Sequence, residues 1–184
     1  MEVRTLAAAS VLDVNGAPSL LGEHWRRHPA VVVWLRHYGC LFCREQAVEM
    51  RAAQPDIEAA GAELVFVGNG NPDQARDFQQ QHAPGITVLT DPDLRTYRLI
   101  GARRGVLNTV GPRVWRSGLR ALGRGARQTQ VKGHPFQQGG VLVVLPGDKA
   151  VFTYISRQAG DHPPVAEVVG ALREAVAVRA AQSA

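Results

Sequence analysis

Apolar positions along the chain fall into short continuous runs separated by polar, helix-compatible stretches. Residues 30–35 (Ala, Val, Val, Val, Trp, Leu) are uninterrupted, as expected of a strand buried on both faces of a parallel sheet. The residues from Leu41 to about Ala60 favour a helix, with Ala47, Val48 and Met50 as its apolar stripe and Gly61 as its C-terminal stop. "AELVFVG" predicts a second strand. It is followed by a helix with Asn71 as N-cap and Pro72 at its first position. "GITVLT" predicts a third strand, and "DPDLRTYRLIG" a short helix opened by Asp91 and Pro92. "GGVLVVLPGDKAVFTYIS" reads as two strands turning at Pro146-Gly147-Asp148. The closing stretch is an amphipathic helix presenting Val165, Val168, Val169, Leu172 and Val176. Strands alternating with helices, then a hairpin and a last helix, predict an α/β fold. Its central mixed sheet, flanked by helices, is parallel first and antiparallel at the end.

Composition refines this picture in few places. The 184 residues, 45% hydrophobic and 20% charged, fit one globular domain. No apolar run approaches the ~20 residues of a membrane span, and the N-terminus is a poor signal peptide, so the expectation is a cytoplasmic protein without membrane association. Charge is uneven: between Leu94 and Gly147 there is no Asp or Glu against ten Arg and Lys, so a basic insertion at about 103–136 sits in a mildly acidic body. Within it Arg113, Arg116, Arg120, Arg124 and Arg127 recur every three or four residues, interrupted by Gly118, Gly123 and Gly125. A solvated helix face accounts for that pattern. A lid collecting an anionic small-molecule substrate through Arg113 and Arg116 is the functional alternative. Too few aromatic residues accompany the arginines to favour nucleic acid.

Candidate chemistry concentrates at Cys40 and Cys43, the only two cysteines, placed at the seam between the first apolar run and the helix after it. Unpaired N–H groups at a helix start favour a thiolate, and three positions is about one helical turn, so the two sulfurs can close a disulfide. Arg36, His37 and Arg44 lie close in sequence, His37 as a candidate base or thiolate partner. Two other readings stand beside redox chemistry: half a zinc site completed by two of His24, His28, His37, His82, His134 and His162, or two inert core cysteines. The ligand spacing argues against a metal, and no nicotinamide or flavin motif is present, which leaves the cysteine pair itself as the redox group.

"LRHYGCLFCREQ", "TDPDLRTYRLIG" and "QQGGVLVVLPGDKAVFTYISRQAGDHPP" occur in the order, and resemble the motifs, of peroxiredoxin-like proteins of the alkyl-hydroperoxide-reductase/thiol-specific-antioxidant group, closest to the peroxiredoxin-like 2 branch. The likeness covers roughly Leu20 to Val178 apart from the basic segment. It implies a thioredoxin-like fold and a thiol-dependent oxidoreductase reducing a peroxide-type bond, in an organic hydroperoxide or endoperoxide. Laid on the family's Pro-x-x-x-Thr-x-x-Cys motif, Cys43 takes the peroxidatic position, Cys40 that of the Thr and Arg36 that of the Pro. Thioredoxins instead attack with the first cysteine of CxxC, here Cys40, and place a cis-proline where this chain has Gly139 and Gly140. Both mechanisms end in a Cys40–Cys43 disulfide that an external reductant, thioredoxin or a low-molecular-weight thiol, restores. The resemblance adds Arg157, after the final strand, as a candidate that stabilises thiolate or binds an anion. It also adds Gln138 as a hydrogen-bonding group for substrate. Thiol–disulfide exchange is the alternative activity. A non-enzymatic redox sensor or scaffold binding an acidic partner through the basic segment is the second alternative, and a homodimer remains open.

Overall fold

The computed structural model of the chain describes residues 1–102 and 137–183. The basic segment, with Arg113 and Arg116, therefore lies outside the described residues. A seven-stranded sheet runs through the centre. In chain order the strands are β1 (Ser10–Leu12), β2 (Pro18–Leu20), β3 (Ala30–Trp34), β4 (Glu63–Gly68), β5 (Thr87–Thr90), β6 (Gly140–Leu145) and β7 (Lys149–Ile155). Across the sheet their order is β2-β1-β5-β4-β3-β6-β7. β3, β4 and β5 are mutually parallel, whereas β6 pairs antiparallel with both β3 and β7. This is the mixed sheet the apolar runs predict.

Why those runs are continuous is plain from the layers. Val31, Val33, Phe66, Val141 and Val143 face one core, shared with Val168 and Leu172. Ala30, Val32, Trp34, Val65 and Leu142 face the other, shared with Leu6, Trp25 and Tyr97. All five residues of β3 are buried, so neither face tolerates a polar position. Each fully buried Val or Leu contributes about 1.5–3 kcal/mol of transfer free energy, which strongly specifies the register.

The helices are α1 (Val3–Ala7), α2 (Leu41–Ala52), α3 (Gln54–Ala59), α4 (Pro72–His82), α5 (Arg95–Leu99) and α6 (Val165–Ser183), with a 3-10 turn at Leu21–Trp25. Asn71 caps α4 in a reciprocal capping box with Gln74, and Pro72 opens the helix. Three expectations need correction. The helix after the cysteines is two helices, because Pro55 has no N–H to donate and its ring would strike the Arg51 carbonyl. Val48, assigned to the apolar stripe, is exposed, while Ala47 and Met50 are buried. The short helix starts at Arg95 rather than Pro92: Leu94 is left-handed (φ 57°), and the Asp91 carboxylate reaches forward to accept the N–H groups of Arg95 and Thr96 (3.1 and 2.7 Å). The β1–β2 hairpin was not foreseen, its two three-residue strands being too short for a pattern.

Candidate active site

The site lies where β3 ends and α2 begins, and its loop, residues 35–39, is tied down on several sides. The Leu35 N–H bonds to the Val67 carbonyl (2.8 Å), and the Tyr97 hydroxyl donates to the Leu35 and Val67 carbonyls (2.5 and 3.0 Å). The Tyr38 ring lies against Gly68 and Gly70, where any side chain would collide with it, and its hydroxyl donates to the Leu89 carbonyl (2.7 Å). Asn69 donates to the Arg36 carbonyl (2.6 Å). A loop so held presents fixed dipoles to whatever packs inside it.

Inside it are both cysteines, free thiols buried to within 2% and 3% of full enclosure. Cys40 is the N-cap of α2: its N–H donates to the His37 carbonyl, and its carbonyl accepts the Arg44 N–H, the first bond of the helix. Cys43 follows within the first turn, and its Sγ accepts the Arg36 N–H at 3.2 Å. The Arg36 guanidinium turns inward, placing Nη1 3.5 Å from the Cys40 Sγ and Nε 3.2 Å from the Gln137 carbonyl.

These surroundings act on the two thiols in opposite directions. A hydrogen bond from the Cys43 thiol, joined by the Arg36 charge and the Cys43 and Phe42 amides, outweighs burial and brings Cys40 down to about 6. Burial and the neighbouring Cys40 push Cys43 well above the ordinary thiol range. The two shifts run in opposite directions and favour the thiolate on Cys40, at the helix N-terminus, over one on Cys43.

The other sequence candidates fall in different places. His37 is buried beside the pair, but burial and the charges of Arg36 and Arg44 bring it to about 4. It is neutral near pH 7 and so does not form an ion pair with the thiolate. Among the described residues its Nδ1 has no hydrogen-bond partner. Arg36, expected at the substrate, is buried and engaged with Cys40. Arg44 is half-buried on α2, its charge acting on His37 and His82. Gln138 is fully buried, neither of its amide atoms is hydrogen-bonded among the described residues, and by continuation of the β3–β6 register it lies across from Arg36. Arg157 is exposed; its N–H donates to Asp161, while its neighbours Ser156 and Gln158 lie on the side of Cys43. There they help line a cavity of about 10 Å³ with Trp34, Phe42, Cys43 and Gln46, room for roughly one water. A cavity of about 490 Å³ between α6 and the β6–β7 turn, lined by Pro146, Val151, Glu174 and Val178, contains no cysteine.

Sequence reasoning missed Gln137 and Asn69, which hold Arg36 from two sides. Nothing in their local pattern marks them, because the contacts cross 101 and 33 residues of chain. Of the histidines weighed for zinc, His24 is engaged by Glu63 (3.2 Å), and no cluster suited to a metal occurs among the described residues. Nor is any described helix long and apolar enough to cross a membrane.

Comparison with known proteins agrees with this geometry. The model of the family described as AhpC/TSA antioxidant enzyme matches residues 49–158, starting just after the cysteine pair. The thioredoxin-like protein AAED1, chloroplastic, of Arabidopsis thaliana is 32% identical over 91% of this chain and 71% of its own. A prostamide/prostaglandin F synthase of Salmo salar is 25% identical over 99% of this chain and 93% of its own. Among solved structures, the bacterioferritin comigratory protein of Xanthomonas campestris superposes with a TM-score of 0.68 at 13% identity, covering 94% of this chain and 95% of that one. The fold is thus that of the thioredoxin-like peroxiredoxins.

Proposed function

Because the chain belongs to the AhpC/TSA antioxidant enzyme family, and is thereby a peroxiredoxin-like thiol oxidoreductase, we propose that Cys40 attacks and Cys43 resolves in the reduction of an organic hydroperoxide or endoperoxide. Thiol-dependent peroxide reduction is the general chemistry of the family. The observation that carries the finer reading is the Cys40 sulfur held between the Cys43 thiol and the Arg36 guanidinium at the start of α2.

With a hydroperoxide, the Cys40 thiolate forms an S–O bond to the terminal oxygen as the O–O bond breaks, and the alkoxide leaves as alcohol after taking a proton. Cys40 is then a sulfenic acid. Cys43 attacks it, the S–S bond forms, and hydroxide departs with the Cys43 proton as water. With an endoperoxide, the first attack leaves an S–O–R link and one alkoxide. Attack by Cys43 releases the second, so the product is a diol. Two electrons leave the dithiol in either case, and an external thiol, thioredoxin or a small one, returns them with two protons. No other cofactor is invoked.

The choice of an organic peroxide rests on two features. Neither cysteine has a threonine three positions before it (His37 precedes Cys40, and Cys40 precedes Cys43), so the hydroxyl that binds hydrogen peroxide in the resemblance described above is absent, and a relative of 25% identity is named as a prostamide/prostaglandin F synthase. The test is peroxide consumption by the pre-reduced protein with a thioredoxin system present. Hydrogen peroxide, a bulky organic hydroperoxide and an endoperoxide are compared. Turnover of an organic substrate faster than hydrogen peroxide supports the reading, and no turnover of any of them removes it. In that event disulfide exchange takes its place, since a low-pKa first cysteine in CxxC serves that reaction equally. Binding of an acidic partner would rest on Arg113 and Arg116, outside the described residues.

A further inference from the structure

Arg36 is 7% exposed, and a guanidinium so enclosed needs partners that both satisfy and aim it. Its Nε donates to the Gln137 carbonyl at 3.2 Å, and Nη1 approaches the Cys40 Sγ at 3.5 Å. Because the group is planar, fixing Nε restricts where Nη1 can point. Gln137 is itself 2% exposed, and its side-chain Nε2 donates to two carbonyls, those of Ala102 and Gln138, at 3.1 Å each. The segment that carries the accepting carbonyl is thus tied by the same residue's side chain to Ala102 and to the next residue's carbonyl, just before β6 begins. From the opposite side, Asn69 holds the Arg36 carbonyl at 2.6 Å, so the backbone of Arg36 is pinned while its side chain is aimed.

We propose that Gln137 is a positioning residue of the cysteine centre: its amide, bonded to the Ala102 and Gln138 carbonyls, fixes the segment whose Gln137 carbonyl holds the Arg36 guanidinium against the Cys40 sulfur. The chain of contacts runs from Ala102 through Gln137 and Arg36 to Cys40. This rests on the reading of Cys40 as the attacking thiolate. It differs from a purely structural role for Gln137, which would lower stability and leave the acidity of Cys40 alone.

The experiment is the pH midpoint of Cys40 alkylation by iodoacetamide in the pre-reduced full-length chain, with the modified cysteine located by mass spectrometry. Gln137→Met removes the amide at similar volume, and Gln137→Asn keeps it on a shorter stem. The Met variant raises the midpoint by about 1, a tenfold lower thiolate-to-thiol ratio at a given pH. The Asn variant raises it less, and its midpoint decides the matter alone where circular dichroism shows the Met variant unfolded. Arg36→Met raises the midpoint further, and combining it with Gln137→Met adds nothing, because Gln137 acts only through Arg36. Wild-type midpoints in both Gln137 variants, or full additivity in the double variant, overturn the proposal. A wild type that consumes no peroxide while the midpoints move as stated removes the peroxide reading and supports the relay. Peroxide turnover with unmoved midpoints does the reverse.

Discussion

Replacing Cys43 by Ala and by Ser separates its two contributions, because Ser keeps a donor facing Cys40 and Ala does not. The Cys43 thiol is the foremost cause of Cys40 acidity, ahead of Arg36 and the helix amides. A hydrogen bond to a charged group contributes about 1.5–3 kcal/mol, which moves a pKa by about 1 to 2. Starting from about 6, Cys40 in Cys43→Ala therefore titrates near or above pH 7. At pH 7 the thiolate fraction falls from about nine-tenths to between about a half and a tenth, and reactivity falls about two- to ten-fold. A thiol is a weak donor, so the smaller end is expected. Cys43→Ser holds the midpoint near 6 or lowers it, since a hydroxyl donates more strongly. The assay is Cys40 alkylation against pH in the two variants, which are matched in lacking a resolving thiol. Coincident midpoints for Ala and Ser would refute the division of the pair into thiolate and donor thiol.

Two further expectations concern the frame around the pair. His37 titrates at about 4 in the folded chain and at its ordinary 6.5 when unfolded, so between these values the unfolded chain takes up a proton that the folded one refuses. Its contribution to stability is intact above pH 6.5 and is lost as pH falls towards 4, by up to about 3 kcal/mol. Urea unfolding at pH 7, 5.5 and 4 should show that loss in the wild type and a shallower one in His37→Leu; parallel pH dependences would contradict it. A Cβ at Gly139 would stand 2.1 Å from the Trp34 carbonyl oxygen, so Gly139→Ala forces β3 and β6 apart beside Arg36. Unfolding should show a loss of about 3 kcal/mol or more, with slower peroxide reduction, and a variant as stable as wild type would show that the strands tolerate the shift.

What the chain reveals without its structure depends on whether the determining contacts are local. β3, β4 and β6 are legible because both sheet faces are covered, so every residue of β3 is apolar. The capping box at Asn71 is legible because its partner is three residues away. Pro55 shows how a local signal can be outweighed by a long helix-compatible run, although its effect on α2 is mechanical. The start of α5 depends on a left-handed Leu94, a conformation no leucine advertises. At the site, the spacing of Cys40 and Cys43 and their place on the seam are readable, but the assignment of thiolate is not. That assignment depends on the Cys43 thiol first and then on Arg36, which an exposed-charge expectation directs towards substrate and which folding instead encloses. Gln137 and Asn69 are unreadable because their contacts with Arg36 cross 101 and 33 residues of chain. Arg157 illustrates the converse: its motif is placed beside Cys43, yet strand-end alternation turns its neighbours inward and leaves it exposed.

The most direct test is to treat pre-reduced Cys43→Ser and Cys40→Ser with one equivalent of an organic hydroperoxide, trap sulfenic acid with a dione, and locate it by mass spectrometry. Rapid, stoichiometric trapping on Cys40 in Cys43→Ser, with an unreactive Cys43 in Cys40→Ser, is the predicted result. Trapping on Cys43 in Cys40→Ser, with Cys40 inert in the other variant, would contradict it and make Cys43 the attacking residue.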